Sequence, residues 1–210
     1  MSVTDTLPDT RGETLRPDLS LIREWIPDGA RVLDLGCGEG QLLQNLRDTR
    51  NVQGYGLEID QDNIAGCIRR GVNVIEQDID EGLGNIADKR FDYVLMTQAL
   101  QAVQRPDLVL AEMLRVGREA IVTFPNFGHW RVRGYLFFKG RMPVSRRLPY
   151  QWYDTPNIHL CTVNDFDTHC RKSGYRILDR LVLNNDHASG IGTRLWPNVF
   201  GEIAIYRVTC

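Results

Sequence analysis

A glycine-rich loop between an apolar strand and an amphipathic helix is the feature that most constrains how this chain folds. The strand is predicted over 31–33, the loop reads Asp34-Leu35-Gly36-Cys37-Gly38-Glu39-Gly40, and leucines recur at helical spacing over 41–46. Glycine lets the chain turn sharply and lets a ligand approach the backbone, while the N–H groups at the start of the following helix point at that ligand. The pattern therefore predicts a ligand-binding strand–loop–helix unit.

The spacing of the glycines and the charge of the loop indicate which ligand it binds. A dinucleotide-binding loop reads Gly-x-Gly-x-x-Gly, and this loop spaces its glycines differently. Asp34 and Glu39 would also repel a pyrophosphate. S-adenosylmethionine fits better because its reacting half carries an ammonium and a sulfonium group with only one carboxylate. The acid-x-Gly-x-Gly-x-Gly pattern resembles the first motif of class I S-adenosylmethionine-dependent methyltransferases.

Two further apolar segments end in acids that suit the rest of this cofactor. The segment 52–57 ends at Glu58, where a carboxylate can accept both ribose hydroxyl protons, although that spacing alone also fits NAD. The segment 72–77 ends at Asp78, which can accept from the adenine amino group, and Ile79 can cover the ring. Each acid taken singly is also explained as a helix cap. The ordered set favours the methyltransferase interpretation, and the predicted cofactor-binding residues are Asp34, Gly36, Cys37, Gly38, Glu58, Ile59, Asp78, Ile79 and Gln98.

The remaining segments continue the alternation of strands and helices. Further strands are predicted over 91–96, 120–124, 175–183 and 202–208, and helices over 106–116 and 165–173. Such alternation implies an α/β fold with a mainly parallel sheet, helices on both faces and a ligand at the carboxyl ends of the strands. With the methyltransferase resemblance, we expect a Rossmann-like, seven-stranded sheet whose last strand is antiparallel. We expect a single domain over 16–210 after a disordered tail, 1–15.

Composition limits the classes of partner. The chain has 210 residues and a net charge of −2, so no overall field attracts it to nucleic acid or to an anionic membrane. Its five cysteines are odd in number and lack Cys-x-x-Cys spacing, which suggests neither a disulfide framework nor a zinc site. The sequence contains no secretory signal and no apolar run of membrane-spanning length. We therefore expect a cytoplasmic protein without metal, nucleic-acid or membrane partners.

Groups suited to catalysis are few. Gln98 follows the fourth strand and can hydrogen-bond a cofactor or substrate, but an amide cannot abstract a proton. His129 and His159 are possible general bases, although a histidine in a polar, aromatic loop more often serves as a hydrogen-bonding scaffold. Cys37 can be interpreted as a nucleophile or as a residue that packs against the ligand. The sequence therefore assigns no catalytic residue.

A long insertion over 125–161 is rich in aromatic and basic residues. Its aromatic side chains include Trp130, Tyr135, Phe137, Phe138, Tyr150, Trp152 and Tyr153, and its arginines are Arg131, Arg133, Arg141, Arg146 and Arg147. Such a segment can be a structural cover, a contact surface for a partner or an anionic substrate, or a nucleic-acid surface. Contact with a partner or substrate is favoured over nucleic acid because the chain as a whole is acidic.

Three segments at 124–131, 140–143 and 148–161 of the insertion read FPNFGHWR, GRMP and LPYQWYDTPNIHLC. These segments resemble the MetW family. The resemblance runs from residue 16 to the end of the chain and includes the glycine loop. It implies a bacterial methionine-biosynthesis protein that accompanies the homoserine O-acyltransferase MetX in the formation of O-acylhomoserine.

The motifs and the family together leave two hypotheses for function. In the first, the protein binds S-adenosylmethionine or S-adenosylhomocysteine as a signal or structural ligand and supports MetX, with the insertion as the contact surface. In the second, it is an active S-adenosylmethionine-dependent methyltransferase that acts on an unidentified small-molecule or protein acceptor. We favour the first hypothesis, in which the protein supports MetX, as the biological role.

Overall fold

The computed structural model describes residues 15–145, 148–184 and 191–210 of the chain. Its strands are β1 (Arg31–Leu35), β2 (Gln53–Glu58), β3 (Asn73–Glu76), β4 (Phe91–Thr97), β5 (Gly117–Pro125), β6 (Arg176–Leu183) and β7 (Ile203–Thr209). Its helices are α1 (Pro17–Trp25), α2 (Gln41–Arg50), α3 (Gln61–Arg69), α4 (Pro106–Val116), α5 (Trp130–Lys139), α6 (Val163–Ser173), α7 (Ile191–Leu195) and α8 (Pro197–Phe200). A 3-10 turn covers Ile79–Glu81.

The seven strands form one sheet in the order β3-β2-β1-β4-β5-β7-β6. Strands β1 to β5 pair in parallel, and β7 pairs antiparallel with both β5 and β6. The predicted fold class, a mainly parallel seven-stranded sheet with an antiparallel last strand, is confirmed. The strand order reverses between β1 and β4, and open α/β sheets bind ligands at the carboxyl ends of the strands on either side of such a point.

Helices cover both faces of the sheet because successive strand residues point to opposite sides. In β4, Val94 and Met96 pack into one core cluster with α4 and α6, whereas Leu95 packs into a second cluster with α1 and α2. Both clusters consist of fully or nearly fully buried apolar side chains. The parallel strands are therefore buried on both faces, as expected for this class of sheet.

Local sequence signals account for most helix boundaries. Helix α6 begins with a capping box, in which Thr162 and Asp165 each bond to the other's backbone, and it ends at Gly174 in the left-handed conformation. Asp60 caps α3 by accepting from the backbone N–H of Asn63 at 3.0 Å. Helix α5 lies inside the insertion and is not predicted from the sequence. Its apolar residues do not form a stripe, and none of its side chains is buried.

Parts of two predicted features lie outside the described residues. These are residues 1–14 of the predicted tail, and Arg146 and Arg147 of the insertion. Leu15, the last residue of the predicted tail, is buried with 3% of its surface exposed. The domain boundary at 16 stays a prediction. Within the described ranges, the structure contains no helix that is both long and apolar enough to cross a membrane.

Candidate functional site

The glycine loop joins β1 to α2 in a conformation that requires glycine. Gly36 and Gly40 have φ angles of +70° and +77°, in the left-handed region where a side chain is strained. A Cβ at Gly36 would lie 3.3 Å from the Cβ of Ala99, in the loop after β4. The N–H groups of Gly36 and Cys37 both donate to the carbonyl of Leu57, at 2.9 and 3.1 Å. The loop is therefore tied to the end of β2 and packed against the end of β4.

Glu58 holds the loop from the neighbouring strand. Its Oε2 accepts from the N–H of Gly38 at 2.8 Å, and its Oε1 accepts from the N–H groups of Ile59 and Asp60 at 2.9 and 3.1 Å. The side chain is buried, with 9% of the residue surface exposed. An ionised carboxylate has about four acceptor positions. Glu58 therefore retains acceptor capacity at Oε2 for a hydroxyl group while it braces the loop.

Asp34 is a buried carboxyl group at the end of β1. Only 1% of its surface is exposed, and its Oδ1 has no hydrogen-bond partner among the described residues. Burial raises the pKa of Asp34 to about 7, while the charge of Arg16 lowers it and the charge of Glu58 raises it. A positively charged ligand group would favour the ionised form and would supply the missing donor. Asp34 therefore suits the ammonium group of an amino-acid ligand.

A cavity of about 480 Å³ lies over the glycine loop. Asp34, Gly36, Cys37 and Gly38, four of the predicted cofactor-binding residues, line it. Its other walls come from Arg16 and Leu19 at the start of α1, Gln41 and Leu42 at the start of α2, and Glu39, Arg70 and Thr97. The first turn of α2 and the guanidinium of Arg16 both favour a carboxylate. The donor set thus fits a zwitterionic amino-acid head.

The remaining predicted cofactor residues lie at the neighbouring strand ends. Ile59 follows β2 and is 59% exposed. Ile79 lies close to the glycine loop, because a Cβ placed at Gly36 would be 3.8 Å from Cδ1 of Ile79. Asp78 caps the 3-10 turn by accepting from the N–H of Asp80 at 2.9 Å. The cap and the predicted adenine contact are compatible because the second carboxylate oxygen is left for a ligand. No ligand contact tests these assignments, which stay predictions.

Gln98 differs from the other predicted residues because its side chain is engaged with α1. Its Nε2 donates to Asp18 Oδ2 at 3.2 Å, and Arg16 Nη2 donates to the same oxygen at 3.1 Å. Its backbone has φ +58°, and its N–H donates to Thr123. Gln98 therefore connects the end of β4 to the helix that covers the cavity. Asp18 and Arg16 carry no sequence signal that links them to Gln98, since they lie about 80 residues away along the chain.

The cysteine of the loop is a packing residue in this environment. Burial, followed by the charge of Asp34, raises the pKa of the Cys37 thiol far above its ordinary value. Its Sγ lies 3.7 Å from Sγ of Cys67 on α3, and the Cys67 thiol donates to the carbonyl of Gly38 at 3.1 Å. A protonated thiol is a poor nucleophile. The structure thus favours ligand packing over nucleophilic catalysis for Cys37, and it adds Cys67 as a loop contact.

His129 lies in a second cavity, beyond the end of β5. It is 6% exposed, its Nδ1 accepts from the N–H of Arg131 at 3.4 Å, and its Nε2 lies 3.9 Å from Oε1 of Glu202. Burial and then the charge of Arg131 lower its pKa, which favours the neutral form of the ring. His159 is exposed, and its Nε2 lies 3.1 Å from the carbonyl of Gln104. His129 thus retains the chemistry of a general base, whereas His159 connects two loops.

The insertion exposes an unusual amount of aromatic surface. We call this the aromatic–basic surface, and it comprises Trp130, Phe137, Phe138, Trp152, Tyr153, Arg131, Arg133, Lys139 and Arg141, all of them exposed. Phe137 and Phe138 are 82% and 81% exposed and pack edge to face with ring centroids 5.1 Å apart. Exposed aromatic and arginine side chains grouped in this way are typical of protein-binding surfaces.

Comparison with known proteins places the chain among methionine-biosynthesis proteins. A family model described as "Methionine biosynthesis protein MetW" matches residues 16–208. The "Bifunctional methionine biosynthesis protein MetXA/MetW" of Rhodopirellula baltica is 40% identical over 172 residues, which are 77% of this chain and 28% of that protein. The chain therefore spans less than a third of the length of this relative.

Solved structures share the fold. An S-adenosylmethionine-dependent methyltransferase from Mesorhizobium loti superposes with a TM-score of 0.67 at 15% identity, over 92% of this chain and 97% of that one. The [4+2]-cyclase SpnF superposes with a TM-score of 0.64 at 24% identity, over 91% of this chain and 79% of that one. The two neighbours are named for different reactions, so the fold by itself does not fix the chemistry. By the extent of the family match, the chain belongs to the MetW family of methionine-biosynthesis proteins.

Proposed function

We propose that this protein binds S-adenosylmethionine or S-adenosylhomocysteine in the glycine-loop cavity and supports the homoserine O-acyltransferase MetX as its partner. The cofactor part rests on the donor and acceptor groups around the cavity. The partner part rests on the aromatic–basic surface and on the Rhodopirellula baltica relative, whose name joins MetXA and MetW in one protein. Each part has its own experiment.

The buried carboxyl group of Asp34 carries the cofactor proposal. Its Oδ1 has no partner among the described residues, and the residue Asp34 lines the cavity together with the loop glycines. A buried acceptor without a partner is costly, and an ammonium group removes that cost. In the proposed complex Asp34 accepts from the ammonium group, the start of α2 and Arg16 hold the carboxylate, and Glu58 and Asp78 hold the ribose and the adenine.

Calorimetric titration with S-adenosylmethionine tests this assignment. Replacement of Asp34 by asparagine keeps the size of the side chain and removes its charge. We expect Asp34→Asn to weaken binding by about 1.5–3 kcal/mol, the range for hydrogen bonds to charged groups. Asp28→Asn is the matched control because the Asp28 side chain is 77% exposed and does not line the cavity. Equal affinities for Asp34→Asn and Asp28→Asn would contradict the cofactor proposal.

The aromatic–basic surface carries the partner proposal. The stretch 126–153 contains no Asp or Glu, so its charged side chains are all positive, whereas the chain as a whole has a net charge of −2. We therefore expect MetX to present an acidic patch with an apolar centre that receives Phe137 and Phe138. Co-purification of tagged protein with MetX, followed by an acyltransferase assay with and without this protein, tests the partnership. Unchanged MetX activity and no association would rule it out.

The second candidate function is methyl transfer, and His129 favours it. His129 is a buried imidazole with a lowered pKa beside Glu202 and beyond the end of β5, and it is a candidate general base for a protic acceptor. Transfer of label from S-adenosylmethionine to an acceptor distinguishes the two functions. Methylation that His129→Phe abolishes would support the enzyme, whereas MetX activation that survives His129→Phe would support the accessory role.

A further inference from the structure

The tetrapeptide Arg-Pro-Asp-Leu occurs twice in the chain, and each copy begins a helix. Residues 16–19 begin α1, and residues 105–108 begin α4. In both copies the proline and the aspartate lie in the first turn, and the arginine pairs with the aspartate two residues later. Proline and an acid in the first turn both favour a helix start. Any further role of either copy therefore depends on its surroundings.

The two copies differ in burial and in the geometry of the ion pair. The Asp18 side chain is 3% exposed, whereas that of Asp107 is 47% exposed. Arg105 donates to both oxygens of Asp107, through Nε and Nη2. Among the described residues, Arg16 engages Asp18 through Nη2 alone. A guanidinium has five N–H donors, so Arg16 retains donors for a further acceptor, whereas the α4 copy is a closed pair on the surface.

The end of β4 fixes the position of Asp18. Gln98 Nε2 donates to Asp18 Oδ2 at 3.2 Å, and the same oxygen accepts from Arg16 Nη2 at 3.1 Å. The backbone N–H of Gln98 donates to the carbonyl and to Oγ1 of Thr123, at 3.0 and 2.9 Å, which ties Gln98 to β5. The buried carboxylate is thus held by the sheet and in turn orients the guanidinium of Arg16.

The guanidinium of Arg16 acts on the glycine-loop cavity. Arg16 lines this cavity together with Asp34, and although burial raises the pKa of Asp34, the charge of Arg16 lowers it. An arginine that is already held in one orientation loses less conformational freedom when a ligand binds. We propose that Asp18 is a positioning residue, which holds Arg16 ready for the carboxylate of an adenosyl ligand with an amino-acid head and makes the cavity select ligands with that carboxylate. This inference rests on the proposed cofactor function and adds a determinant of its specificity.

Calorimetric titration of the full chain with two ligands tests the positioning role. S-adenosylmethionine carries the carboxylate, whereas decarboxylated S-adenosylmethionine lacks it and keeps the ammonium and sulfonium groups. We expect the native chain to bind S-adenosylmethionine at least about tenfold more tightly, as a hydrogen bond between charged groups implies. Asp18→Asn keeps the size of the side chain and removes its charge. This variant should lose most of the preference, while its affinity for the decarboxylated ligand stays unchanged.

Two further variants separate positioning from a helix-start effect. Asp107→Asn is the matched control, because it alters the same tetrapeptide at the start of α4 and Asp107 does not line the glycine-loop cavity. It should leave both affinities unchanged. Arg16→Met removes the guanidinium and should abolish the preference. The double variant Arg16→Met/Asp18→Asn should lose no more than Arg16→Met alone, because Asp18 acts through Arg16.

The outcomes distinguish this inference from the proposed function. A native chain that binds both ligands equally, or a preference that survives Asp18→Asn, would overturn the positioning role. An equal loss of both ligands in Asp18→Asn would also overturn it, because α1 would then only cover the cavity. If thermal unfolding shows that Asp18→Asn has lost its fold, Arg16→Met decides, since the Arg16 side chain is 45% exposed. A native chain that binds neither ligand would contradict the proposed cofactor function itself.

Discussion

Glu58 accepts a hydrogen bond from the backbone N–H of Gly38 at 2.8 Å, so the last residue of β2 braces the loop that follows β1. The same carboxylate also accepts from two N–H groups at the start of the β2–α3 connection. The residue that the sequence predicts as a ribose contact therefore also has a structural role in the fold. Substitution of Glu58 is expected to change both stability and ligand binding.

Glu58→Gln is expected to destabilise the fold by about 1–3 kcal/mol, the penalty for buried donors left without partners. The amide offers one acceptor oxygen to the three N–H groups that now share the carboxylate, and its NH₂ group faces donors. Chemical denaturation gives the change in the free energy of unfolding. Glu76→Gln is the control, because Glu76 is exposed on β3 and a glutamine there can still accept from Gln61. A similar loss in both variants would contradict the bracing role.

The raised pKa of Asp34 predicts a pH dependence for cofactor binding. A cationic group pairs with the ionised carboxylate, and the pKa is raised to about 7 mainly by burial. Lowering the pH from about 8 to about 6 should therefore weaken S-adenosylmethionine binding about tenfold, because most of the Asp34 carboxyl becomes protonated. Calorimetry across this range measures the effect. The Asp34→Asn variant, which has no group to titrate, should show a flat profile, and a parallel slope in that variant would contradict the assignment.

Asp34 also makes the free energy of unfolding, measured without ligand, depend on pH. This stability falls as the pH rises, whereas cofactor binding strengthens. The pKa of Asp34 is raised from its ordinary value of 3.8 to about 7 in the folded protein. Between these two pH values the folded state therefore binds more protons than the unfolded state. The Asp34 contribution to stability is present at low pH and is lost as the pH rises through about 7. Denaturation curves over this window should show a smaller decline for Asp34→Asn than for the native chain. An identical decline would assign the effect to other groups.

Gly56→Ala is expected to disturb the glycine loop through Cys37. A Cβ at Gly56 would collide with Sγ of Cys37, would lie 2.9 Å from the Cβ of Cys37 and would approach Leu43 to 3.4 Å. Overpacking of this kind costs about 1–3 kcal/mol. The double variant Gly56→Ala/Cys37→Ala should lose less stability than the sum of the two single variants, since the smaller side chain makes room. Gly84→Ala is the control because a Cβ there meets nothing within 4 Å. Strict additivity would show that Sγ of Cys37 is not the obstacle.

Phe138→Ala is expected to weaken assembly with MetX without changing the stability of the free protein. The side chain is 81% exposed, so its removal leaves no cavity in the core. A central aromatic anchor at an interface contributes about 2 kcal/mol or more, which corresponds to a roughly thirtyfold loss of affinity. Ile68→Ala on α3 removes an apolar side chain of 67% exposure from another element and serves as the control. Equal losses for the two variants would place the contact elsewhere.

The helix of the insertion shows why some features escape prediction. Tyr135, Leu136, Phe137 and Phe138 are all exposed on α5, so its apolar residues form no stripe from which a helix can be recognised. Asn126 directly follows β5. In the structure it is buried, donates to the carbonyls of Asn198 and Gly201, and accepts from the N–H groups of Gly128 and Val163. Its partners lie up to 75 residues away, beyond the reach of any local pattern.

The sequence by itself determined the seven strands along the chain, the sharp turn of the glycine loop and the acids at the ends of β1, β2 and the β3 segment. These features follow from periodicity and backbone sterics, which act between near neighbours in the chain. Only the tertiary structure decided that β7 inserts between β5 and β6, that Cys67 contacts the loop, and that Gln98 joins Asp18 rather than lining the cavity. Those contacts depend on how distant segments pack together, because burial and hydrogen bonding select partners by proximity in space.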